Sequence, residues 1–249
     1  MTRLPGIQPL AFDDWLLIDD AYAAQMAERD RLIAGQPEAV HALAPTAHSA
    51  AAELLALVLN DLDRRDGFQC FKTSVIRPDG VRVPLDHDAP LLTLGRLVQE
   101  DLCILEPDGA EHALTGAILC FPASWMLAEK FMRPLMRIHA PVPQYDENIG
   151  PRVQRLFDGL KPGRVLWRAN VHFYDDPTLF QPRAESAPRM AVTAPAPYIR
   201  SERQCLLRLP ETGAVVFSIH TIVVRSDDLN PEQKAALDAN PPLAAETRV

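Results

Sequence analysis

The sequence predicts an α+β fold, and three observations lead there. Two pairs of apolar runs are each split by a turn signal: 101–106 and 114–121 around Pro107-Asp108-Gly109, and 204–209 and 214–224 around Pro210-Glu211-Thr212-Gly213. Helical periodicity dominates the first third and returns between the two hairpins. The 23 prolines against 11 glycines favour fixed turns and little helix elsewhere. The order helices, hairpin, helices, strand, long connection, hairpin suits helices segregated around an antiparallel sheet.

Along the chain, residues 1–11 read as an irregular arm, because Pro5, Gly6 and Pro9 resist regular structure. A helix is expected near Trp15, capped by Asp13 or Asp14, whose charge also suits a helix N-terminus. Tyr22 to Ile33 continues a helical pattern until Gly35-Gln36-Pro37 stops it. Ala47 to Arg65 is the clearest helix, with Leu54, Leu55, Val58 and Leu62 at helical spacing. Thr73–Ile76 and Val81–Val83 flank Pro78-Asp79-Gly80 as a tight hairpin or turn. A short helix is expected at Leu91–Gln99, and another at Trp125–Phe131 with Ser124 as its cap.

Asn148–Leu160 is amphipathic, with Ile149, Val153, Leu156, Phe157 and Leu160 on one side. Val165–Phe173 reads as a strand, 175–199 as a proline-rich connection and Pro231–Ala239 as a helix. Five antiparallel strands, with helices inserted after the second, match a PAS-like topology. The expected organisation is a helical N-terminal extension at 1–66, a PAS-like domain at 67–227 and a tail at 228–249, together one compact unit.

Composition narrows the function classes. A net charge of −8 argues against a broad nucleic-acid surface. Cys70, Cys103, Cys120 and Cys205 make no CxxC pair and no zinc spacing, and Cys103, Cys120 and Cys205, in apolar strand-like runs, read as buried small hydrophobes. No run of 18 apolar residues predicts a membrane span. The opening residues lack signal-peptide character, so a cytoplasmic location is expected. His41 and His48 read as ordinary surface or packed histidines.

The stretch that organises the chain is KFMRPLMRIHAPVPQYDENIG, residues 130–150. A basic, apolar run leads into His139, and Pro141 and Pro143 then restrict the backbone. EKFMRPLMRIHAPVPQY (129–145) stands with VQEDLCILE (98–106), LTGAILCFPASW (114–125), WRAN (167–170) and RSERQCLLRLPETGAVVFSIHTIVV (200–224), and with GIQPLAFDDWLLIDDAY (6–22). In number and order these words resemble the haem-dependent oxidative N-demethylase alpha-subunit family, over roughly residues 6–224.

The resemblance implies a PAS-like haem-binding domain and a monooxygenase acting on a small amine with O2. It implies haem b as cofactor, with electrons from a flavin and iron–sulfur reductase. No GxGxxG and no cluster-type cysteine run occurs, so that reductase is expected on a separate chain.

The resemblance also nominates residues. His139, in the family's IHxPVP word, is the expected axial ligand of the iron. Arg200 and Arg203 are the leading partners for the haem propionates, with Arg168 and Arg137 behind them. Glu202 is the carboxylate expected to receive a cationic amine, with Tyr145 as another contact. Alternation in FSIHTIVV puts His220 on the face of Ser218 and Ile222, away from Phe217 and Ile219.

Phe131, Val171 and His220 depart from the family's words. A haem-facing His220 or His172 would give a six-coordinate site, which is the alternative of a non-catalytic haem-binding sensor or carrier. A structural or interaction protein without haem is the third reading.

Overall fold

A computed structural model describes residues 6–141, 148–190, 192–193 and 195–239. In chain order the elements are β1 (Gln8–Leu10), α1 (Tyr22–Gly35), α2 (Pro37–Val40), β2 (His41–Leu43), α3 (His48–Leu62), β3 (Gln69–Phe71), β4 (Ser74–Ile76), β5 (Arg82–Pro84) and α4 (Pro90–Gly95). They continue with β6 (Asp101–Asp108), β7 (Glu111–Ile118), α5 (Leu127–Lys130), α6 (Leu135–Ile138), α7 (Gly150–Gly159), β8 (Val165–Tyr174), β9 (Tyr198–Arg208), β10 (Val215–Arg225) and α8 (Pro231–Ala239). The fold is mixed helix and sheet, as predicted.

A seven-stranded sheet runs β1-β8-β9-β10-β6-β7-β2, and every neighbour pair is antiparallel. Its five long strands, counted in order of appearance, lie in the spatial order 2-1-5-4-3. Both predicted hairpins form, and both strands of the second extend beyond their predicted ends. The β6–β7 turn uses Gly109 at φ +63, a left-handed conformation that glycine adopts without Cβ strain. β3, β4 and β5 make a separate three-stranded sheet.

The large sheet is covered on both faces. One core joins α3 and α4 to the sheet through Leu54, Val58, Leu62, Leu91, Leu94, Leu102, Ile104, Ile118, Cys205, Leu207 and Val216. The other joins α5, α6 and α7 to the opposite face through Leu127, Leu135, Phe157, Leu160, Cys103, Leu105, Leu119 and Val215. The alternation of strand side chains makes this division: Leu207 and Val216 point one way, Leu206 and Val215 the other. All four cysteines are free, and three of them are buried.

The structure corrects four local readings. Gln8–Leu10 is not irregular but pairs with Val165–Trp167 at one sheet edge. Asp13 and Asp14 cap no α-helix: Phe12–Asp14 is a single 3-10 turn, and the helix starts at Tyr22. The reason lies in Trp15, which is fully buried and whose indole Nε1 donates to Ser218 Oγ at 2.8 Å. Ser124 is not a helix cap either; it sits at φ +64, and α5 begins at Leu127 without a side-chain cap. The N-terminal third is helical only in part, since β1 and β2 add a strand to each end of the sheet order. Among the described residues, no helix is long and apolar enough to cross a membrane.

Candidate functional site

The face of the sheet under α5, α6 and α7 carries an unusual row of polar residues. In β8, Leu166 belongs to that face, so Arg168, Asn170 and His172 follow it there. In β9, Leu206 fixes the same face, so Gln204, Glu202 and Arg200 share it. The antiparallel register sets them opposite one another as Arg168↔Gln204, Asn170↔Glu202 and His172↔Arg200. Thr221 lies across from Glu202 on β10, fully buried, with its Oγ1 lacking a partner. Polar groups in the middle of three central strands are costly unless they bond to something.

Glu202, 7% exposed, accepts from Arg200 Nε at 3.3 Å and from Gln204 Nε2 at 3.1 Å. A carboxylate offers about four lone-pair directions, so capacity remains for a further donor. Arg200 is fully engaged: its other nitrogens donate to Leu179 O at 3.0 Å and Phe121 O at 2.6 Å. It ties the end of β7 and the 175–199 connection to β9, and its charge offsets Glu202. Arg168 donates through Nε to Gln204 Oε1 at 2.8 Å. Its terminal nitrogens have no acceptor among the described residues. Burial lowers the pKa of Arg168, and the nearby Glu202 carboxylate partly offsets this.

His139 borders this face at the C-terminal end of α6. Its Nδ1 lies 2.9 Å from Leu135 O and donates to it, which places the imidazole lone pair on Nε2. Burial lowers its pKa, the bond to Leu135 opposes that, and the positive charges of Lys130 and Arg168 lower it further. Lys130, almost fully buried, clamps the same turn by donating to Ile138 O at 2.6 Å and to Glu185 Oε1 at 2.6 Å. Bonds from Arg137 and Lys130 pull the Glu185 carboxyl down to about 2. Glu185 N in turn donates to Glu129, so the long connection is fastened to α5 and α6. Half-buried Ile138, Val153, Leu166, Leu206 and Phe217 line the space between sheet and helices.

Arg203 and His220 lie on the other face. Arg203 donates to Asp14 O at 2.7 Å and to Trp15 O. His220 is 1% exposed and sits between two carboxylates, with Nδ1 3.1 Å from Glu100 Oε1 and Nε2 3.1 Å from Asp19 Oδ2. Burial depresses its pKa, but the bonds to Asp19 and Glu100 outweigh that and raise it to about 9. The structure thus brings His139, Glu202, Arg200, Arg168 and His172 to one face and sets Arg203 and His220 on the other. Tyr145 falls outside the described residues.

Sequence reasoning ranked Arg168 low and passed over Asn170 and Gln204. The signal was available as polar residues at alternate positions 168, 170, 172 and 200, 202, 204 of two otherwise apolar strands. Among the described residues, no three His, Cys, Asp or Glu side chains converge as a metal-binding group. A haem iron, by contrast, asks for as little as one protein ligand. The model of the haem-dependent oxidative N-demethylase, alpha subunit-like family matches residues 6–240. The chain belongs to that family, whose name carries both a haem dependence and an oxidoreductase activity.

Proposed function

We propose that this protein is a haem-dependent monooxygenase that removes a methyl group oxidatively from a small amine, with electrons from a separate reductase chain. The observation that carries this reading is the meeting of a histidine that donates through Nδ1 to Leu135 O, a buried carboxylate and a guanidinium with unspent terminal nitrogens beneath an apolar roof. The family match supplies the haem.

The residues present fit that group. His139 donates its Nδ1 proton to Leu135 O, the kind of second hydrogen bond that metal-binding imidazoles make. Ile138, Val153, Leu166, Leu206 and Phe217 offer the apolar surroundings. For the propionates we favour Arg168, whose terminal nitrogens are unspent, over Arg200, whose donors are bound to the protein. Arg203 and His220 are tied to the N-terminal segment and are assigned no contact with haem. The strand order 2-1-5-4-3, with the helices inserted after its second strand packed together on one face, supports the PAS-like reading.

Haem b, when bound, supplies the iron at which O2 is reduced and its oxygen made available to the methyl carbon. The balance needs two electrons and two protons per O2: one oxygen atom leaves in formaldehyde and the other in water. Glu202 is the group proposed to hold the substrate ammonium. Its desolvated carboxylate, braced by Arg200 and Gln204, fixes the amine nitrogen and so the direction of its methyl group. Glu185 fastens the connection after β8 to α5 and α6 beside that face.

The test is spectroscopic first. Purified protein should show a Soret band, and with a reductase it should consume O2 in an amine-dependent way. His139→Ala should lose the band or shift it markedly; full haem occupancy with an unchanged spectrum would sink the ligand assignment. Glu202→Gln should keep the band and lose amine-dependent turnover by about 10²-fold or more. A Soret band without amine-dependent O2 uptake would favour the sensor or carrier reading.

A further inference from the structure

Charge is divided unequally between the layers on the two faces of the sheet. Residues 130–168 run from the end of α5 through α6 and α7 into β8. They carry eight Lys and Arg against three Asp and Glu, a net +5 in a chain of −8. Residues 1–66, of which the described ones cover the opposite face, carry five basic against eleven acidic residues, a net −6. The molecule is therefore strongly polarised across the sheet, not uniformly acidic.

The positive side is also unspent. Arg133, Arg152, Arg155, Lys161 and Arg164 are exposed, and among the described residues none of them forms an ion pair. The neighbouring cations are already used: Lys130 and Arg137 on Glu185, Arg208 on Leu160 O, Phe157 O and Gly213 O. Arg152 and Arg155 are three apart on α7 and share its outer side. Lys161 and Arg164 follow in the turn that closes with Arg164 N donating to Lys161 O at 3.2 Å. Arg133 precedes α6, and its carbonyl accepts from Leu114 N. Nearby on β7, His112 N donates to Gln154 of α7. All five belong to one layer. Its apolar side, with Phe157 and Leu160, is packed inward, so its outward side is mostly polar and charged.

We infer that this basic layer is the docking surface for an acidic electron-donor protein. The inference rests on the reading proposed above, in which electrons come from a separate chain, and it names the face by which they enter. The layer roofs the sheet face that carries His139, Arg168 and Glu202, so a donor seated on it lies over the reacting site. The −6 layer behind repels the same partner, which orients a compact acidic protein before contact. A long polyanion such as nucleic acid would meet the acidic remainder of the chain as well. Complementary charge of this kind acts mainly on the rate of encounter, and salt screens it.

The test uses the full chain loaded with haem and a reduced plant-type [2Fe–2S] ferredoxin as the acidic donor. Haem reduction is followed by stopped flow at low salt and at about 0.5 M salt. The wild-type rate should fall about tenfold or more with salt. Arg152→Glu/Arg155→Glu/Lys161→Glu/Arg164→Glu should be that slow already at low salt, and Arg152→Gln/Arg155→Gln should lie between. Dithionite should reduce all three proteins alike. Ferredoxin rates that respond neither to salt nor to these substitutions would overturn the docking surface alone. Low-salt self-association that is abolished in the quadruple variant would make a second copy the occupant and overturn it too. A wild-type protein with no Soret band would defeat the haem reading itself, and the docking surface with it.

Discussion

His220 is the residue whose environment most changes its chemistry. Two carboxylates bracket a buried imidazole, and each ring nitrogen donates to one of them. Asp19 also accepts from Gln99 Nε2 at 2.7 Å and Ala21 N at 3.1 Å, and Glu100 accepts from Leu17 N at 2.8 Å. The imidazolium thus knots the segment before α1 to β10. Its folded pKa, about 9, lies above the ordinary histidine value of 6.5. The stabilisation is fully present below the unfolded value and is lost as pH rises through the folded one. Urea unfolding should lose on the order of 2–3 kcal/mol between pH 6 and about 9.5. In His220→Gln that slope should flatten; an unchanged slope would mean another group carries it. The alternation in FSIHTIVV was enough to place His220 on the face of Ser218, and the structure agrees. What the sequence hid was Asp19, some 200 positions away, which no local pattern connects to it.

At the scale of elements, the close passage of α4 over β7 decides how the helical layer sits. A Cβ on Gly95 would lie 2.5 Å from Ile118 Cγ1 and 3.0 Å from Ile33 Cδ1, so α1, α4 and β7 meet where no side chain fits. The carbonyl of Gly95 also accepts from Arg29 Nε at 2.9 Å. Gly95→Ala should destabilise the protein by about 1–3 kcal/mol in thermal or denaturant unfolding. Combined with Ile118→Ala, the loss should be smaller than the sum of the two single changes, because the clash is then removed.

The long elements were legible: α3 from its leucine spacing, the two hairpins from Pro-Asp-Gly and Glu-Thr-Gly, β8 from its apolar run. β1 and β2 were not, since three residues are too few to display a period. The helix expected at Trp15 failed for a related reason. Its acidic cap signal was present, but tertiary burial of the indole outweighed local propensity. The candidate site was half legible. Arg200, Glu202 and Arg203 are near neighbours in sequence, and alternation alone sends Arg203 away from the other two.

Across the whole molecule, the first 66 residues and the sheet share one apolar core, from Leu54 and Val58 of α3 to Leu207 and Val216 of β9 and β10. The first 66 residues also carry a net −6 on one side of that sheet, and residues 130–168 a net +5 on the other. A chain beginning at residue 67 would expose that core along Leu102, Ile104, Cys205 and Val216. We expect such a fragment to fail to give a cooperative unfolding transition; a sharp, reversible one would mean that residues 67–249 fold alone.

The two three-residue strands at the ends of the sheet order have a further meaning. β2 occupies the outer side of β7 at Gly116–Ile118, and β1 that of β8 at Val165–Trp167. Without them, those backbone groups of long, apolar strands would be open to any passing chain, the circumstance in which sheets grow into fibrils. The same N-terminal strands, away from the chemistry, are thus the protein's guard against ordered aggregation. Lesions there should surface as inclusion bodies and amyloid-dye binding before they are seen as lost turnover.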